Sequence, residues 1–173
     1  MVINQIGIIG AGQMGNGIAH VMALADYDVT ITDISQEHLV SATRKIAQNL
    51  DRQIIAKKIS KFQKEKALEK IKTTVDLGKI AKTDLIIEAV NEDEELKRKI
   101  FYSLMPHLDQ HTILASNTSS ISITRLASCT DRPEKFLGFH FMNPVPIMQL
   151  VELIPGIATT QNTFDECKLV VDR

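Results

Sequence analysis

The chain has 173 residues, of which 44% are hydrophobic and 24% are charged, and its formal net charge is −1. This is the composition of an ordinary soluble globular protein, and the length suits one domain. The near-neutral charge argues against nucleic acid as a partner. No apolar run approaches the roughly 18 residues that a membrane-spanning helix needs.

Cysteine usage and the N-terminus bear on the cellular compartment. Cys129 and Cys167 lie far apart and outside any CxxC or Cys/His cluster, so we expect reduced thiols and no bound metal. Residues 1–5 carry neither a basic flank nor a cleavable apolar segment. Both features favour a cytoplasmic protein.

The first 35 residues predict a strand, a glycine-rich turn, a helix and a second strand. Residues 2–9 form a mostly apolar run, typical of a buried parallel strand, and residues 28–33 form the second strand. Ser35 is placed to cap a helix that starts near Gln36. Apolar residues on one face define the first helix: Met14, Ile18, Val21, Met22 and Ala25.

The same alternation continues to the end of the chain. A capping box at residues 60–63 predicts a helix start. Further strands are predicted at residues 73–75, 84–90, 112–116, 136–141 and 148–154. Further helices are predicted at residues 93–107, 122–128 and 162–173, the first with an apolar stripe of Leu96, Ile100, Leu104 and Leu108. The predicted fold is therefore α/β, a doubly wound, mainly parallel sheet of Rossmann type with helices on both faces.

Three glycines in the first turn form the pattern G-x-G-x-x-G. The pattern is a weak signal alone, but here it follows a strand and opens a helix. Gly10 would permit the tight turn, Gly12 the approach of a pyrophosphate, and Gly15 close packing of helix and strand. Helix amides would then face the phosphates. We predict a dinucleotide site here, with Gln13 and Met14 also in contact with the cofactor.

Asp33 ends the second strand, where dinucleotide-binding domains carry an acid that reads the adenosine ribose. Its carboxylate would accept hydrogen bonds from the 2′-hydroxyl and repel a 2′-phosphate. Ile34 and Ser35 offer no arginine for that phosphate, so NAD is predicted over NADP. The alternative is an unrelated glycine turn with Asp33 as a surface acid.

His140 and Glu152 are the candidate catalytic pair. His140 ends a predicted strand, and the carboxyl ends of strands face the ligand crevice in such sheets. Glu152 interrupts an apolar run, which is unfavourable for a buried acid without a partner. If the runs fold back around Asn143–Pro146, the two residues are equidistant from Pro146 and meet. They would then act as a general base and its orienting acid. The remaining histidines are predicted to be surface or packed residues: His20, His38, His107 and His111.

Three motifs stand out: the glycine turn at residues 10–15, Asn-Thr-Ser-Ser at residues 117–120, and Gly-Phe-His-Phe-Met-Asn-Pro-Val-Pro at residues 138–146 followed by Leu-Val-Glu at 150–152. Together they resemble the L-3-hydroxyacyl-CoA dehydrogenase family, and within it the bacterial 3-hydroxybutyryl-CoA dehydrogenases. The resemblance covers essentially the whole chain. It implies hydride transfer between NAD and the 3-hydroxyl or 3-oxo carbon of a short-chain (S)-3-hydroxyacyl-CoA.

The resemblance also assigns roles to individual positions. His140 would remove the 3-hydroxyl proton, with Glu152 as its partner, and Ser119 would hydrogen-bond the substrate oxygen. Asn143 would position substrate and nicotinamide. A further set would lie near the nicotinamide half of the cofactor: Glu92, Lys97 and Asn117. Without the resemblance, Asn117 and Ser119 would be explained as well by turn chemistry.

Ten of the twenty basic residues fall between residues 44 and 72, against only three acids. Such a run is usually a solvated helix face, but it could also dock a compact polyphosphate. In the family this segment reaches towards the nucleotide of coenzyme A. Lys57 and Lys58 are the candidates for its phosphates.

The chain departs from the family in length. Members continue into a helical C-terminal domain that contributes to the acyl pocket and most of the dimer contact. We therefore assign residues 1–173 to the NAD-binding domain with the catalytic pair. We expect a homodimer through the missing domain, and little or no activity from these residues alone.

Two alternative functions remain. One is a non-catalytic NAD-binding module on the same fold, but such a module would not need a histidine paired with a buried glutamate. The other is a β-hydroxyacid dehydrogenase, which would use a lysine base. No lysine stands at the strand ends predicted to face the crevice.

Overall fold

The structure is a computed structural model that describes residues 2–173. It confirms the predicted alternation of strands and helices. The strands are β1 Gln5–Ile9, β2 Asp28–Thr32, β3 Ile71–Thr74, β4 Leu85–Glu88, β5 Ile113–Ser116, β6 Phe136–Phe141 and β7 Val151–Pro155. The helices are α1 Gln13–Leu24, α2 Gln36–Ile55, α3 Lys61–Glu69, α4 Glu94–Leu104, α5 Ile123–Ala127 and α6 Gln161–Val171. Short 3₁₀ turns cover Leu77–Ile80, Met105–His107 and Pro133–Lys135.

The strands form one sheet in the order β3-β2-β1-β4-β5-β6-β7. The first six are parallel, and β7 runs antiparallel to β6. The chain therefore winds outwards in both directions from the β1–β4 pair, which confirms the doubly wound topology. In such sheets ligands bind beyond the carboxyl ends of the strands, where the strand order reverses.

Two apolar clusters cover the two faces of the sheet, because side chains alternate along each strand. One face packs against helices α1, α2, α3 and α6, and the other packs against α4 and α5. The sheet is thus shielded from water on both sides. Ile87 and Ala115 contribute to the first cluster, and Ile86 and Leu114 to the second.

The predicted helix starts are confirmed by their caps. The Ser35 hydroxyl accepts a hydrogen bond from the His38 amide at the start of α2. Ser60 and Gln63 form the reciprocal bonds of a capping box at the start of α3. Each satisfies amides that have no partner within the helix.

The predicted apolar stripe of α4 is wrong in part. Leu96 is 37% exposed, whereas Lys97 is only 1% exposed. The buried face of the helix consists of Lys97, Phe101 and Leu104. The error arises because a buried ion pair, described below, turns a charged residue towards the sheet. The helix also ends earlier than predicted, at Leu104, where Pro106 enters a 3₁₀ turn.

Within residues 2–173, the helices are all too short or too polar to cross a membrane. Both cysteines are free thiols. Burial, and to a smaller extent the charge of Glu166, raises the pKa of the Cys167 thiol to about 12. Cys167 is therefore a packed side chain of the core and not a nucleophile.

Candidate active site

The three glycines of the turn between β1 and α1 differ in what a side chain at each position would contact. Gly10 has a φ of +101°, and a Cβ there would lie 2.8 Å from the Ala89 carbonyl oxygen. A Cβ on Gly15 would lie 1.8 Å from the Gly10 carbonyl oxygen. A Cβ on Gly12 would meet no atom of the described chain within 4 Å. Gly12 thus leaves open space where a phosphate group would approach the backbone.

The start of α1 is suited to an anion. Gly12 is the N-cap, no side chain caps the helix, and its first turn contains no acidic residue. The first amides of the helix therefore remain available, and the helix dipole favours negative charge at this end. These features fit the pyrophosphate of a dinucleotide.

Asp33 lies beside this turn, at the end of β2. Its Oδ2 accepts a hydrogen bond from the Ala11 amide at 2.9 Å, and its Oδ1 accepts one from the Ser35 amide at 2.9 Å. Burial works to raise the pKa of Asp33, but these hydrogen bonds, together with one from His38, outweigh it and lower the pKa. The carboxylate is therefore ionised at neutral pH.

A cavity of about 350 Å³ extends from Asp33 across the carboxyl ends of β1, β2 and β4. Its walls are mainly apolar, which suits the flat face of an adenine ring. The described residues that line it are Ile9, Gly10, Gly12, Thr32, Asp33, Ile34, His38, Val75, Leu77, Ala89, Val90, Asn91, Leu96 and Ile100. The glycine turn, the acid and the cavity together fit the adenosine half of NAD.

His140 and Glu152 meet as the hairpin argument predicted. They are direct partners in the antiparallel register of β6 and β7, and His140 Nδ1 lies 2.8 Å from Glu152 Oε2. The ring is 17% exposed. The carboxylate holds Nδ1 and leaves Nε2 for a substrate.

The expectation of a buried Glu152 is wrong. Its side chain is 49% exposed, because β7 is the edge strand and has one neighbour in the described sheet. The apolar letters around it do not indicate a buried strand, since Met148 and Leu150 are also exposed.

Two asparagines link the pair to the neighbouring loops. Asn117, after β5, accepts a hydrogen bond from the Phe141 amide at 2.8 Å and so holds β6 directly after His140. The side-chain oxygen of Asn143 accepts a hydrogen bond from the side-chain amide of Gln13 at 2.9 Å. The turn that carries the histidine is therefore tied to the start of α1.

Close packing supports the same link. Val145, in the turn after β6, is 5% exposed, and a Cβ on Gly17 would lie 2.9 Å from its Cβ. The absence of a side chain at Gly17 thus lets the turn rest directly on α1. These contacts place the His140–Glu152 pair beside the glycine turn.

A buried acid at the end of β4 was missed by the sequence analysis. Glu88 is fully buried, and it accepts hydrogen bonds from the Lys97 ammonium at 2.7 Å, the Ser116 hydroxyl at 2.6 Å and the Val90 amide at 2.7 Å. The only sequence signal is an acid that ends an apolar strand. This network joins the loops that follow β4 and β5.

Lys97 belongs to that network and not to the open crevice. Its ammonium also lies 3.3 Å from the Val90 carbonyl oxygen and 3.4 Å from Glu92 Oε2. Glu92 in turn accepts hydrogen bonds from the hydroxyls of Thr118 and Ser120. Burial works to raise the pKa of Glu92, but these hydroxyls and the ammonium lower it overall. The lysine thus fixes the loop that carries Glu92.

Ser119 is exposed on the loop after β5, between the two residues that bond Glu92. Lys57 and Lys58 lie elsewhere, in the exposed turn after α2. That helix has 20 residues and is about 30 Å long, so the two lysines are remote from Asp33. The structure brings neither of them to the cavity.

Comparison with known proteins agrees with this arrangement. The family described as 3-hydroxyacyl-CoA dehydrogenase, NAD binding domain, matches residues 5–173. A 3-hydroxybutyryl-CoA dehydrogenase of Bradyrhizobium diazoefficiens is 55% identical over 96% of this chain, which covers 57% of that protein. The chain thus spans little more than half the length of this relative.

Solved structures give the same result for the fold. The (S)-3-hydroxybutyryl-CoA dehydrogenase PaaH1 of Ralstonia eutropha is 41% identical, with a TM-score of 0.95 over 98% of this chain and 60% of that one. FadB2 of M. tuberculosis is 37% identical, with a TM-score of 0.95 over 99% of this chain and 61% of that one. The chain belongs to the NAD-binding domain family of 3-hydroxyacyl-CoA dehydrogenase.

Proposed function

We propose that the protein is an NAD-dependent 3-hydroxyacyl-CoA dehydrogenase that acts on short-chain (S)-3-hydroxyacyl-CoA, such as 3-hydroxybutyryl-CoA. The observation that carries the proposal is the His140–Glu152 pair at 2.8 Å, tied through Asn143 and Gln13 to the dinucleotide turn. The relatives named 3-hydroxybutyryl-CoA dehydrogenase support the choice of substrate.

In the proposed oxidation, His140 Nε2 accepts the proton of the 3-hydroxyl group. Glu152 holds Nδ1–H, keeps the ring oriented and stabilises the imidazolium that forms. Ser119 donates a hydrogen bond to the substrate oxygen, and Asn143 orients the substrate. Bound NAD supplies the acceptor for the hydride that leaves carbon 3. In the reverse direction the imidazolium returns its proton to the 3-oxo oxygen.

The cofactor is held by the residues described above. The amides at Gly12, Gln13 and Met14 would hold the pyrophosphate, and Asp33 would accept a hydrogen bond from a ribose hydroxyl. Asn117 and Glu92 would hold the nicotinamide half, with Lys97 acting through Glu92. Lys57 and Lys58 bind the nucleotide phosphates of coenzyme A.

The assembly and compartment are also proposals. We propose a cytoplasmic homodimer whose contacts lie mostly outside these residues. Exposed apolar side chains beside the catalytic strands support a further covering layer of protein. They include Ile147 at 68%, Met148 at 45% and Leu150 at 55% exposure.

The test is NADH oxidation with acetoacetyl-CoA. It is run on this chain and on a chimaera that completes it with the rest of the Bradyrhizobium relative. We expect both proteins to bind NADH, the chimaera to turn over, and the chain alone to show little or no activity. A folded chimaera that binds NADH but does not reduce acetoacetyl-CoA would favour the alternative of a non-catalytic NAD-binding module.

A further inference from the structure

His38 lies at the ribose end of the cavity, where the sequence predicted only a surface or packed residue. It stands on the first turn of α2, five residues after Asp33. Its Nδ1 lies 3.1 Å from Asp33 Oδ1, and its side chain is 67% exposed. It lines the same cavity as Asp33 and Gly12. The ring therefore borders the place where the 2′ position of an adenosine ribose would lie.

The charge balance of this cavity rests on two side chains. Among the described residues that line it, Asp33 and His38 are the titratable ones, and none is lysine or arginine. A 2′-phosphate at this end thus meets the Asp33 carboxylate and whatever charge His38 carries.

The charged side chains of the elements packed around His38 lie outside the residues that line this cavity. Glu37, next to His38 on α2, lies in a separate groove with Arg44. Asp76, in the segment after β3, bonds the Gly78 amide, and Lys79 lies in a groove at the outer edge of the sheet. On α4, Arg98 pairs with Glu95 at 3.5 Å.

The hydrogen bond fixes which ring nitrogen is offered to a ligand. With Nδ1 held by Asp33, Nε2 is the free nitrogen of His38. In the neutral ring that donates from Nδ1, Nε2 is an acceptor, which cannot bind a phosphate oxygen. In the protonated ring, Nε2–H is a charged donor, which binds phosphate well. Histidine side chains change between these states at about pH 5 to 8.

The ribose of NAD does not need that donor. Asp33 Oδ1 already accepts from Ser35 and His38, and Oδ2 accepts from Ala11. One acceptor site on Oδ2 remains for a ribose hydroxyl. Protonation of His38 therefore changes the environment of a 2′-phosphate more than that of a 2′-hydroxyl.

We propose that His38 makes the choice between NAD and NADP depend on pH, because its ring becomes a phosphate donor beside Asp33 when it is protonated. The proposal rests on the cofactor site proposed above. NAD is preferred throughout, and the preference is strongest when His38 is neutral.

The test is calorimetric titration of NAD and NADP into the whole chain between about pH 8.5 and about pH 6, where a phosphate monoester keeps most of its charge. The ratio of the NADP to the NAD dissociation constant should fall by roughly three- to tenfold in the wild type, as one partly exposed charged hydrogen bond allows. In His38→Gln the ratio should stay flat. In His38→Arg it should be low already at about pH 8.5.

His111→Gln is the matched control, since His111 also faces an aspartate, at 3.6 Å from Asp84, but on the opposite edge of the sheet. It should keep the pH response of the wild type. An equal response in His38→Gln, or none in the wild type, overturns the role of His38 while NAD still binds. Failure of NAD to bind at any pH overturns the cofactor site as well.

Discussion

The parallel strands of the sheet have a carboxyl end and an amino end, called here the carboxyl edge and the amino edge. Each carries an aspartate with nearly the same hydrogen-bond partners. Asp33, at the carboxyl edge, accepts hydrogen bonds from two backbone amides and from His38. Asp84, at the amino edge, accepts hydrogen bonds from two backbone amides and lies 3.6 Å from His111. The bonding pattern alone therefore does not distinguish a ligand-binding acid from a structural one.

The surroundings of the two acids do differ. Asp33 borders a cavity of about 350 Å³ beside the glycine turn. Asp84 binds the amides of Asn4 and Gln5 and so ties the start of β1 to the start of β4. Parallel strands bring their loops together at the carboxyl edge, and there the glycine turn leaves backbone amides free. The proposed assignment of Asp33 to a ligand site therefore rests on its position in the topology and not on its pairing with a histidine.

The largest expected effect is at the His140–Glu152 pair of the carboxyl edge. His140→Gln in the active chimaera should lower kcat by roughly 10²- to 10⁴-fold, because the general base is lost. NADH affinity should change little. Stopped-flow and steady-state NADH oxidation measure both quantities.

The amino edge supplies the control for that substitution. His111→Gln removes an equivalent histidine beside an acid and should leave kcat within about twofold, as expected for a surface change. Near-normal turnover of His140→Gln in both directions would mean that the pair is structural.

The buried pair at the end of β4 comes second. Glu88→Gln leaves the Lys97 ammonium without its buried charged partner and with only the half-exposed Glu92 at 3.4 Å, so it should lower the free energy of unfolding by about 3–5 kcal/mol. Urea denaturation measures it. Lys97→Met combined with Glu88→Gln should recover part of the loss, since no buried charge then remains. A Glu88→Gln protein as stable as the wild type would contradict the network.

The third effect compares the two aspartates directly. Asp33→Asn should weaken NAD binding by roughly tenfold or more, because a hydrogen bond to a charged group is lost. It should also reduce the ratio of the NADP dissociation constant to the NAD dissociation constant. Asp84→Asn should lower stability but leave the ratio of the two affinities unchanged. If both variants changed the ratio alike, the edges would not differ as described.

The lowered pKa of Asp33 gives the same comparison a pH dependence. A carboxyl group with a lower pKa in the folded state adds stability that is present above its unfolded pKa of about 3.9 and is lost as pH falls through the folded value. The stability difference between wild type and Asp33→Asn should therefore be constant at neutral pH and disappear in acid.

The smallest effect concerns the remote lysines. Replacement of Lys57 and Lys58 by Ala in the chimaera should raise KM for acetoacetyl-CoA by a few fold, in line with the loss of exposed ion pairs. KM for a short pantetheine thioester should stay the same, because it lacks the nucleotide phosphates. Lys72 and Lys79, at the outer edge of the sheet, are the control pair. An equal rise for both substrates would identify a solvated helix face.

Much of the candidate site could be predicted from short sequence patterns. The glycine spacing and Asp33 were predictable because the strand–turn–helix context fixes both ends of the motif. The contact between His140 and Glu152 followed from counting residues on either side of one turn. These features depend on backbone geometry within short stretches of chain.

The missed features depend on packing between distant elements. The resemblance placed Lys97 near the nicotinamide, and its burial was missed because the predicted apolar stripe of the helix used Leu96 instead. Its pairing with Glu88 turns it towards the sheet. Glu152 was taken as buried because it interrupts an apolar run, whereas its strand is the last of the sheet and leaves it exposed. His38 lies at the surface, in line with the prediction, but its contact with Asp33 was not predicted because it depends on how α2 leaves the end of β2.

Hydrogen exchange of the chain with and without NAD tests the central claim most directly. Amides at residues 10–15, 33–38 and 88–92 should gain protection, because the proposed cofactor site lies among them at the carboxyl edge. Amides at residues 3–5 and 109–112, at the amino edge, should not change beyond any uniform gain in stability. Protection confined to the amino edge, or none at the glycine turn at saturating NAD, would contradict the account.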